Sequence, residues 1–411
     1  MKPIVTRFLK YISIDTQGNE QAFVCPSNEN QRLLAELLLE ELTDFGLTEA
    51  EVDKKGFLYA KLPSNCPSAP SVAFLAHLDT NPDVLGENIR PRIVSRYDGG
   101  DIVLNQRKSL VLSPEKYPEL RQHLGEDLIV TDGTTLLGAD GKAGIAEIME
   151  AVRFLSEDPS VPHGDIYIVF TPDEELGYST DFIDLDRIPA DFGFTVEGGA
   201  LGEINAENFN AATATITVSG YGIHPGAARN TMKNAIFLAH KFIACFPERD
   251  FPENTDQKEG YFYISDIRGS VEQCIMTCNI RDFDAAHFAE RKELICETAA
   301  YLNRHYGKDT FSVRVDDYYL NMKPKLDAHP EILEIAQKAM RLAGVSPKLV
   351  PVRGGTDGAV ISFKGFPCPN IFSGEQNGFS FFEYISVQTM EKAVETILNI
   401  IRLSASAGEQ L

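Results

Sequence analysis

The sequence predicts an α/β fold in which one large domain is interrupted by a smaller inserted domain. At 411 residues the chain is longer than one hydrophobic core usually serves, which favours two domains. The apolar pattern also changes near residue 208, where half-exposed strands replace buried ones, and changes back after residue 320. We therefore expect a discontinuous domain of residues 1–207 and 321–411 and an inserted domain of residues 208–320.

Helical and strand-like segments alternate in the first domain. Leucine and phenylalanine recur at three- and four-residue steps over residues 32–45, which predicts a helix. Residues 72–76 form a continuous apolar run that is typical of a buried strand. A second helical stripe covers residues 145–155, and an apolar strand at 166–170 follows it directly. This alternation predicts a layered α/β domain.

The inserted segment has the order β-α-β-β-α-β. Its predicted elements are a strand at 212–218, a helix at 232–245, strands at 261–267 and 272–282, a helix at 285–305 and a strand at 310–315. This order is that of a split βαβ, or ferredoxin-like, sandwich. After it, predicted helices at 329–343 and 389–403 resume the α/β style of the first domain.

Composition excludes several classes of function. Lys plus Arg number 38 against 60 Asp plus Glu, so the net charge is −22, and no basic cluster interrupts this field. Nucleic acid and anionic membranes are therefore poor partners. No window approaches 18 apolar residues, and the start lacks the features of a secretory signal. Seven cysteines at irregular spacing favour reduced thiols and a cytoplasmic location.

Four polar clusters follow apolar strands or open helices, where α/β proteins place binding loops. They are His77-Leu78-Asp79, the glycine-rich loop around Asp140, Asp173-Glu174-Glu175, and Glu197 followed by two glycines. Together they form a hard nitrogen and oxygen ligand set that suits zinc, manganese or cobalt. Taken singly, each has another interpretation: a surface loop for His77, a helix cap for Asp140, and a solvated acidic turn for residues 173–175.

Three of these clusters and three further motifs carry a resemblance to a known family. The motifs are His77-Leu78-Asp79-Thr80, residues 131–144, residues 171–175, His224-Pro225-Gly226, residues 280–284 and residues 353–358. On these residues the chain resembles peptidase T, the tripeptide aminopeptidases within the co-catalytic di-zinc family that includes aminoacylases and carboxypeptidase G. The resemblance implies a mixed-sheet zinc-peptidase domain, an inserted lid or dimerisation domain, a homodimer, and short peptides as substrates.

The resemblance also implies a role for each site residue. Asp140 would bridge two zinc ions, with His77 and Glu197 completing one metal site and Glu175 binding the other. Glu174 would be the general base that takes a proton from the attacking water.

Four further residues complete this set. Asp79 would orient His77, and His224 would stabilise the tetrahedral oxyanion from the inserted domain, across a dimer interface. Arg281 and Arg353 would bind the peptide carboxylate, since Arg forms bidentate pairs with it. Most arginines, however, make only surface ion pairs.

Three positions depart from the family pattern. Glu197 stands where peptidase T has Asp, and Gly141 stands where a second acid is usual. Phe382 occupies the position of the histidine that completes the second zinc site, and the chain has no histidine after residue 329. We expect the second site to bind metal more weakly unless an oxygen ligand replaces that histidine. The candidates for this replacement are Glu375, Gln376 and Glu383.

These observations leave two principal hypotheses. The first is a zinc-dependent aminopeptidase that releases the N-terminal residue of tripeptides, and the retention of Glu174 favours it. The second is a catalytically impaired protein that binds peptides or amino-acid conjugates, and the loss of a ligand at Phe382 favours it. A third possibility is hydrolysis of a different N-acyl or dipeptide substrate. We expect the aminopeptidase.

Overall fold

The computed structural model describes residues 1–22, 24–177 and 179–407. The helices in this part of the chain are α1 (Pro3–Ile12), α2 (Glu29–Asp44), α3 (Lys142–Glu157), α4 (Ala235–Ile243), α5 (Ala285–Tyr306), α6 (Lys323–Leu326), α7 (Pro330–Leu342), α8 (Asp357–Phe363) and α9 (Val387–Ala407). Short 3-10 turns lie at Pro118–His123, Ser179–Asp181, Leu185–Arg187, Pro225–Ala227, Glu248–Asp250 and Pro252–Asn254.

The strands of the described residues form one eight-stranded sheet, two four-stranded sheets and one two-stranded sheet. They are β1 (Glu49–Val52), β2 (Leu58–Leu62), β3 (Val72–His77), β4 (Arg92–Val94), β5 (Ile102–Asn105), β6 (Leu110–Leu112), β7 (Leu128–Val130), β8 (Ile166–Thr171), β9 (Phe192–Val196), β10 (Glu203–Asn205), β11 (Asn210–Ser219), β12 (Tyr261–Gly269), β13 (Gln273–Asp282), β14 (Phe311–Tyr319), β15 (Lys348–Leu349), β16 (Asn370–Ile371), β17 (Glu375–Gln376) and β18 (Tyr384–Ser386).

Tertiary contacts divide the chain into two compact units. The first comprises Met1–Ala206, Lys325–Val350 and the chain from Thr356 onward, and the second comprises Glu207–Pro324 and Pro351–Gly355. The second unit therefore includes residues 321–324 and 351–355, which the predicted boundaries had placed in the discontinuous domain. For residues 351–355 the reason is local, because the Val352 N–H donates to the Glu207 carbonyl at 2.8 Å.

The first unit contains an eight-stranded mixed sheet in the order β1-β2-β8-β3-β9-β16-β10-β15. Strands β3, β8 and β9 run parallel at its centre, whereas β1 and β2 are antiparallel additions. Every residue of these three central strands is buried, as their continuous apolar runs predicted. Their carboxyl ends lie at one edge of the sheet, where His77 pairs in register with Thr171.

Helix α3 brings the glycine-rich loop to the same edge. Its apolar stripe, including Ile145, Ile148 and Val152, lies in the main hydrophobic core. Close packing on the sheet depends on Gly144, because a Cβ at this position would lie 1.8 Å from the Val196 carbonyl oxygen. The start of α3 is therefore held against the end of β9.

The second unit has a four-stranded antiparallel sheet in the order β12-β13-β11-β14. With α4 between β11 and β12, and α5 between β13 and β14, the chain order is the predicted β-α-β-β-α-β arrangement. Helix α4 is shorter than the predicted 232–245 because the Asn234 side chain caps it, accepting a hydrogen bond from the Ile236 N–H at 3.0 Å. Apolar side chains of both helices and the sheet form a separate core.

Among the described residues, no helix has the length and apolar character needed to cross a membrane. All seven cysteines are free thiols.

Candidate metal centre

Three of the predicted metal ligands converge at the edge of the mixed sheet. His77 ends β3, Asp140 precedes α3 and Glu175 follows β8, and one ligand atom from each lies within 4.8 Å of the other two. The closest pair is His77 Nε2 and Asp140 Oδ1, which are 3.1 Å apart. The topology explains this convergence, because the carboxyl ends of parallel strands meet at one edge.

The loop around Asp140 passes very close to His77. Gly141 adopts a positive φ of 76°, and a Cβ there would lie 2.5 Å from the His77 carbonyl oxygen. Gly141, and not Asp140, occupies the N-cap position of α3, and no described side chain caps this helix. The alternative interpretation of Asp140 as a helix cap is therefore wrong, and its carboxylate faces His77.

Glu383 holds this loop in place. Its carboxylate accepts hydrogen bonds from the backbone N–H groups of Leu137 (2.6 Å), Gly138 (3.0 Å), Ala139 (2.7 Å) and Asp140 (3.3 Å). Burial raises the pKa of Glu383 to about 7, although the backbone donors act to lower it. Both carboxylate oxygens are used in this way, so Glu383 supports the loop and is not free to bind a metal.

Asp79 joins His77 to the loop that follows β8. One carboxylate oxygen lies 3.4 Å from His77 Nδ1 and accepts the Glu174 N–H at 3.1 Å. The other oxygen accepts the Glu175 N–H at 3.0 Å. Burial acts to lower the pKa of His77, but its hydrogen bonds to Asp140 and Asp79 raise this pKa well above the ordinary value.

Asp173 is turned away from the cluster. It has a positive φ of 57°, and its carboxylate accepts hydrogen bonds from the Ser27 N–H at 2.7 Å and from Gln31 Nε2 at 2.8 Å. The acidic run of residues 173–175 therefore contains one anchor for the start of α2. The other two acids, Glu174 and Glu175, have their backbone N–H groups held by Asp79.

Several carboxylate oxygens of the site lack hydrogen-bond donors. Glu197 follows β9 and is only 7% exposed, yet its Oε1 has no hydrogen-bond partner among the described residues. Glu175 Oε1 is also unpartnered, while its Oε2 accepts the amide of Asn81 at 3.1 Å. Burial raises the pKa of Glu175 to about 9 and that of Glu197 to about 8. Burial and the charge of Glu197 raise the pKa of Glu174 well above the ordinary value.

This arrangement fits a divalent metal cofactor. Buried carboxylate oxygens without donors are costly, and a cation removes that cost. One imidazole and several carboxylates are also a suitable donor set for zinc, manganese or cobalt.

Phe382, which the resemblance places at the position of a zinc-ligating histidine, packs against an apolar cluster. The Phe382 ring lies 5.2 Å from the Tyr117 ring, and Lys116 Nζ lies 5.0 Å above it. Glu375, in the neighbouring strand β17, has a buried Oε2 without a hydrogen-bond partner among the described residues.

The second unit holds the remaining three predicted residues. His224 is exposed, and its Nδ1 accepts the Gly226 N–H at 3.1 Å. Because Nδ1 is an acceptor here, the neutral ring carries its proton on Nε2, which can donate to a ligand.

Both predicted carboxylate-binding arginines make hydrogen bonds inside the second unit. Arg281 Nη1 donates to the carbonyls of Ala212 (3.2 Å) and Ile280 (3.0 Å). Arg353 Nη1 donates to the Gln257 carbonyl at 2.6 Å, and the guanidinium lies 5.1 Å from the Phe209 ring.

Sequence reasoning missed three buried groups near the site. Glu383 was considered only as a metal ligand, and its role as a loop anchor was not foreseen. Asp357, within the motif at residues 353–358, accepts hydrogen bonds from Thr171 and Ser179. Lys142 donates to the Ile14 carbonyl at 2.8 Å, and burial lowers its pKa to about 8. A signal was available for the last two, since both lie inside motifs that had been singled out.

The chain forms a mixed sheet with a histidine and carboxylate cluster at its strand ends and carries an inserted antiparallel domain, and together with the similarities below this places it in the class of metal-dependent hydrolases. The chain belongs to peptidase family M20/M25/M40, whose model matches residues 132–403. It is 47% identical to Peptidase T of Halothermothrix orenii over 99% of this chain and 100% of that relative. It is 46% identical to Peptidase T of Clostridium acetobutylicum over 98% of this chain and 100% of that relative.

Solved structures agree with the predicted fold class. The crystal structure of aminopeptidase PepT from Bacillus cereus has a TM-score of 0.76 and 25% identity, and the match covers 98% of both chains. A dinuclear metal-binding peptidase of the M20 family from Bacillus subtilis has a TM-score of 0.65 over 99% of both chains. At 14% identity, the second likeness shows the fold alone. The mixed-sheet α/β fold with its inserted sheet domain is thereby confirmed.

Proposed function

We propose that this protein is a metal-dependent aminopeptidase that releases the N-terminal residue of tripeptides. The observation that carries the proposal is the cluster of His77, Asp140 and Glu175, with Glu174 attached to the same framework through Asp79. The full-length similarity to curated Peptidase T relatives supports the substrate class. The buried oxygens without donors support the need for metal.

Two zinc ions are the proposed cofactor. His77 and Glu197 would hold one ion, Glu175 would hold the other, and Asp140 would bind both. When bound, such ions polarise the scissile carbonyl and lower the pKa of water. The residues of the chain then have to place the peptide, remove a proton and stabilise the developing charge.

Glu174 is the proposed general base. It would take a proton from the attacking water and pass it to the leaving amine. Burial and the charge of Glu197 raise its pKa, which suits a group that must accept a proton near neutral pH. Asp79 positions this residue, because it binds the Glu174 backbone N–H as well as His77.

The second unit carries three further residues with proposed substrate roles. His224 would donate from its Nε2–H to the oxyanion across a dimer interface, and Arg281 and Arg353 would bind the peptide carboxylate. In this proposal the first unit is the catalytic domain, and the second unit is the lid or dimerisation domain of a homodimer. A cytoplasmic location also stays a prediction.

A protein that only binds peptides is the weaker candidate. Its basis is the replacement of a metal-ligating histidine by Phe382, and no comparison supports it. Binding alone would require neither Glu174 nor the Asp79 hydrogen bonds that fix the backbone of Glu174 and Glu175.

The replacement Glu174→Gln tests the proposal. We expect tripeptide hydrolysis to fall by about 10²- to 10⁴-fold, because the amide cannot take the proton. Metal content should stay unchanged, since Glu174 is not a proposed ligand. Glu157→Gln, at an exposed carboxylate near the end of α3, serves as the matched control. Undiminished hydrolysis by the Glu174 variant would contradict the proposed mechanism.

A further inference from the structure

The replacement of the second-site histidine by Phe382 raises the question of which residue completes the second metal site. Phe382 itself is excluded by chemistry and by its packing on Tyr117. Glu383 is excluded because four backbone N–H groups occupy its carboxylate. Gln376 follows Glu375 directly in β17, and successive side chains of a strand point to opposite faces.

Glu375 lies on a segment that is fixed to the metal centre. The two residues before it form backbone hydrogen bonds with the loop after Glu197: Ser373 N–H donates to Gly198 and Gly374 N–H donates to Gly199, both at 3.0 Å. Glu375 Oε1 lies 4.0 Å from the point that a Cβ on Gly198 would occupy. The backbone therefore places Glu375 beside the Glu197 loop, within the first unit.

The carboxylate of Glu375 lacks, among the described residues, a hydrogen-bond donor or cation for one of its oxygens. Its Oε2 is buried and has no hydrogen-bond partner among the described residues. The charged groups that act on this carboxylate are themselves acids: Asp140, Glu383, Glu203 and Glu175. A buried carboxylate oxygen without a donor is costly, and a bound cation removes that cost.

Two further carboxylate oxygens nearby also lack hydrogen-bond donors among the described residues. In an ordinary acidic cluster on the surface, water would supply these donors. Glu175 Oε1 and Glu197 Oε1 are also buried without partners, and Glu197 is only 7% exposed. Three carboxylates with unmatched oxygens therefore lie near Asp140, whose charge acts on each of them. A bound cation would remove the cost of these unmatched oxygens.

We propose that Glu375 is the third protein ligand of the second metal ion, beside Asp140 and Glu175. The inference rests on the proposed function only for the existence of a second ion. Glu375 lies outside the group of ligand atoms that fall within 4.8 Å of one another. Its long side chain would have to turn toward Asp140 to bind the same ion.

This ligand changes the metal preference of the second site. Asp140, Glu175 and Glu375 offer only oxygen, whereas the first site includes the nitrogen of His77. Carboxylate oxygen suits manganese, and imidazole suits zinc. The ratio of Zn²⁺ affinity to Mn²⁺ affinity should therefore be smaller at the second site than at the first site.

Titration of the metal-stripped full-length protein with Mn²⁺ tests this inference. Calorimetry should give two sites per chain for the wild type, and electron paramagnetic resonance should show a spin-coupled pair. In Glu375→Gln the second site should weaken at least 10-fold and the coupled signal should disappear. Gln376→Ala, at the adjacent position of β17, should bind as the wild type does. Two unchanged sites in the Glu375 variant, or a single site in the wild type, would overturn the inference.

Thermal unfolding of the metal-free proteins separates ligation from a structural role. Removing a buried carboxylate that has no partner should leave the metal-free Tm of Glu375→Gln equal to or above that of the wild type. A marked fall in this Tm would show that the carboxylate supports the fold, and would overturn the inference. Neither measurement requires turnover. If Glu375→Gln loses the second Mn²⁺ site but the wild-type protein does not hydrolyse tripeptides, the proposed function is refuted and the role of Glu375 as a ligand is not.

Discussion

At the scale of single residues, hydrogen-bond donors separate the acids that hold loops from the acids that can bind metal. Asp79, Asp173 and Glu383 each accept backbone N–H groups from another segment of the chain. Glu175 and Glu197 each keep a buried oxygen without a donor. The sequence shows a carboxylate at all five positions, and only the fold shows which of them have partners.

Asp79→Asn tests the positioning role at this scale. An amide cannot accept hydrogen bonds through both of its polar atoms, so one of the Glu174 and Glu175 N–H groups would lose its partner and the contact to His77 would weaken. We expect metal affinity or kcat/KM to fall roughly 10- to 100-fold. The pH profile of kcat should also shift, which a simple loss of folded protein would not cause. Asp83→Asn, at an exposed position nearby, is the control, and equal kinetics for both variants would refute the role.

At the scale of elements, the metal centre depends on contacts between segments that are far apart in sequence. Glu383, in the turn between β17 and β18, binds the loop before α3 across a separation of 243 to 246 residues. Local periodicity predicts the strand β3 and the helix α3, but it contains no information about such a pairing. For this reason Glu383 could be named from the sequence and still be given the wrong role.

Replacement of this anchor should loosen the loop. In Glu383→Gln, the amide N–H₂ group faces backbone donors and leaves at least one of them without an acceptor. We expect the free energy of unfolding of the metal-free protein to fall by about 1–3 kcal/mol, measured by urea denaturation. Glu395→Gln on α9 provides a comparison at a partly exposed carboxylate. An unfolding free energy equal to that of the wild type would mean that the four hydrogen bonds contribute little.

Element ends were harder to predict than elements. Residues 32–45 were expected to be helical, whereas α2 spans Glu29–Asp44 because the Asn28 side chain caps it, accepting the Asn30 N–H at 3.0 Å. Strand β14 extends to Tyr319, four residues beyond the predicted end, because it continues to pair with β11. Periodicity reports which face of a segment is buried, and caps and pairing partners decide where that segment stops.

At the scale of the whole molecule, a net charge of −22 and a buried set of carboxylates make stability depend on pH and on metal. The folded pKa values of Glu175 and Glu197, about 9 and about 8, lie above the ordinary value of 4.5. From about pH 4.5 up to these folded pKa values, the two carboxyl groups hold more protons in the folded state than in the unfolded state. The free energy of unfolding therefore falls as the pH rises through this range.

The metal-free protein should therefore lose Tm steadily from pH 5 to pH 9. The loss should be smaller in excess Zn²⁺ or Mn²⁺, because the cation offsets the charge of the carboxylates. Glu197→Gln should show a shallower decline than the wild type in the absence of metal. Differential scanning calorimetry at several pH values measures this, and a metal-free Tm that rises from pH 6 to pH 8 would contradict the electrostatic account.

The overall architecture was largely predictable, because the order and type of elements follow from local patterns and the family resemblance. The boundary between the two units was less predictable from the sequence. Residues 351–355 join the second unit through hydrogen bonds that leave no local sequence pattern. Predicted ligands His77, Asp140 and Glu175 do converge. Glu197 lies outside this group. The roles of all the predicted site residues, including Asp79, Glu174, Glu197, His224, Arg281 and Arg353, stay predictions.

The most direct test of the central claim is to identify the products that the metal-loaded protein forms from trialanine, N-acetyl-trialanine and dialanine, by mass spectrometry. We expect alanine and dialanine in equal amounts from trialanine, little cleavage of the other two peptides, and cleavage of trialanine by Glu174→Gln that is slower by about 10²- to 10⁴-fold. Intact trialanine after incubation with folded, metal-loaded wild-type protein, or release of product from the acetylated peptide at a comparable rate, would contradict a tripeptide aminopeptidase.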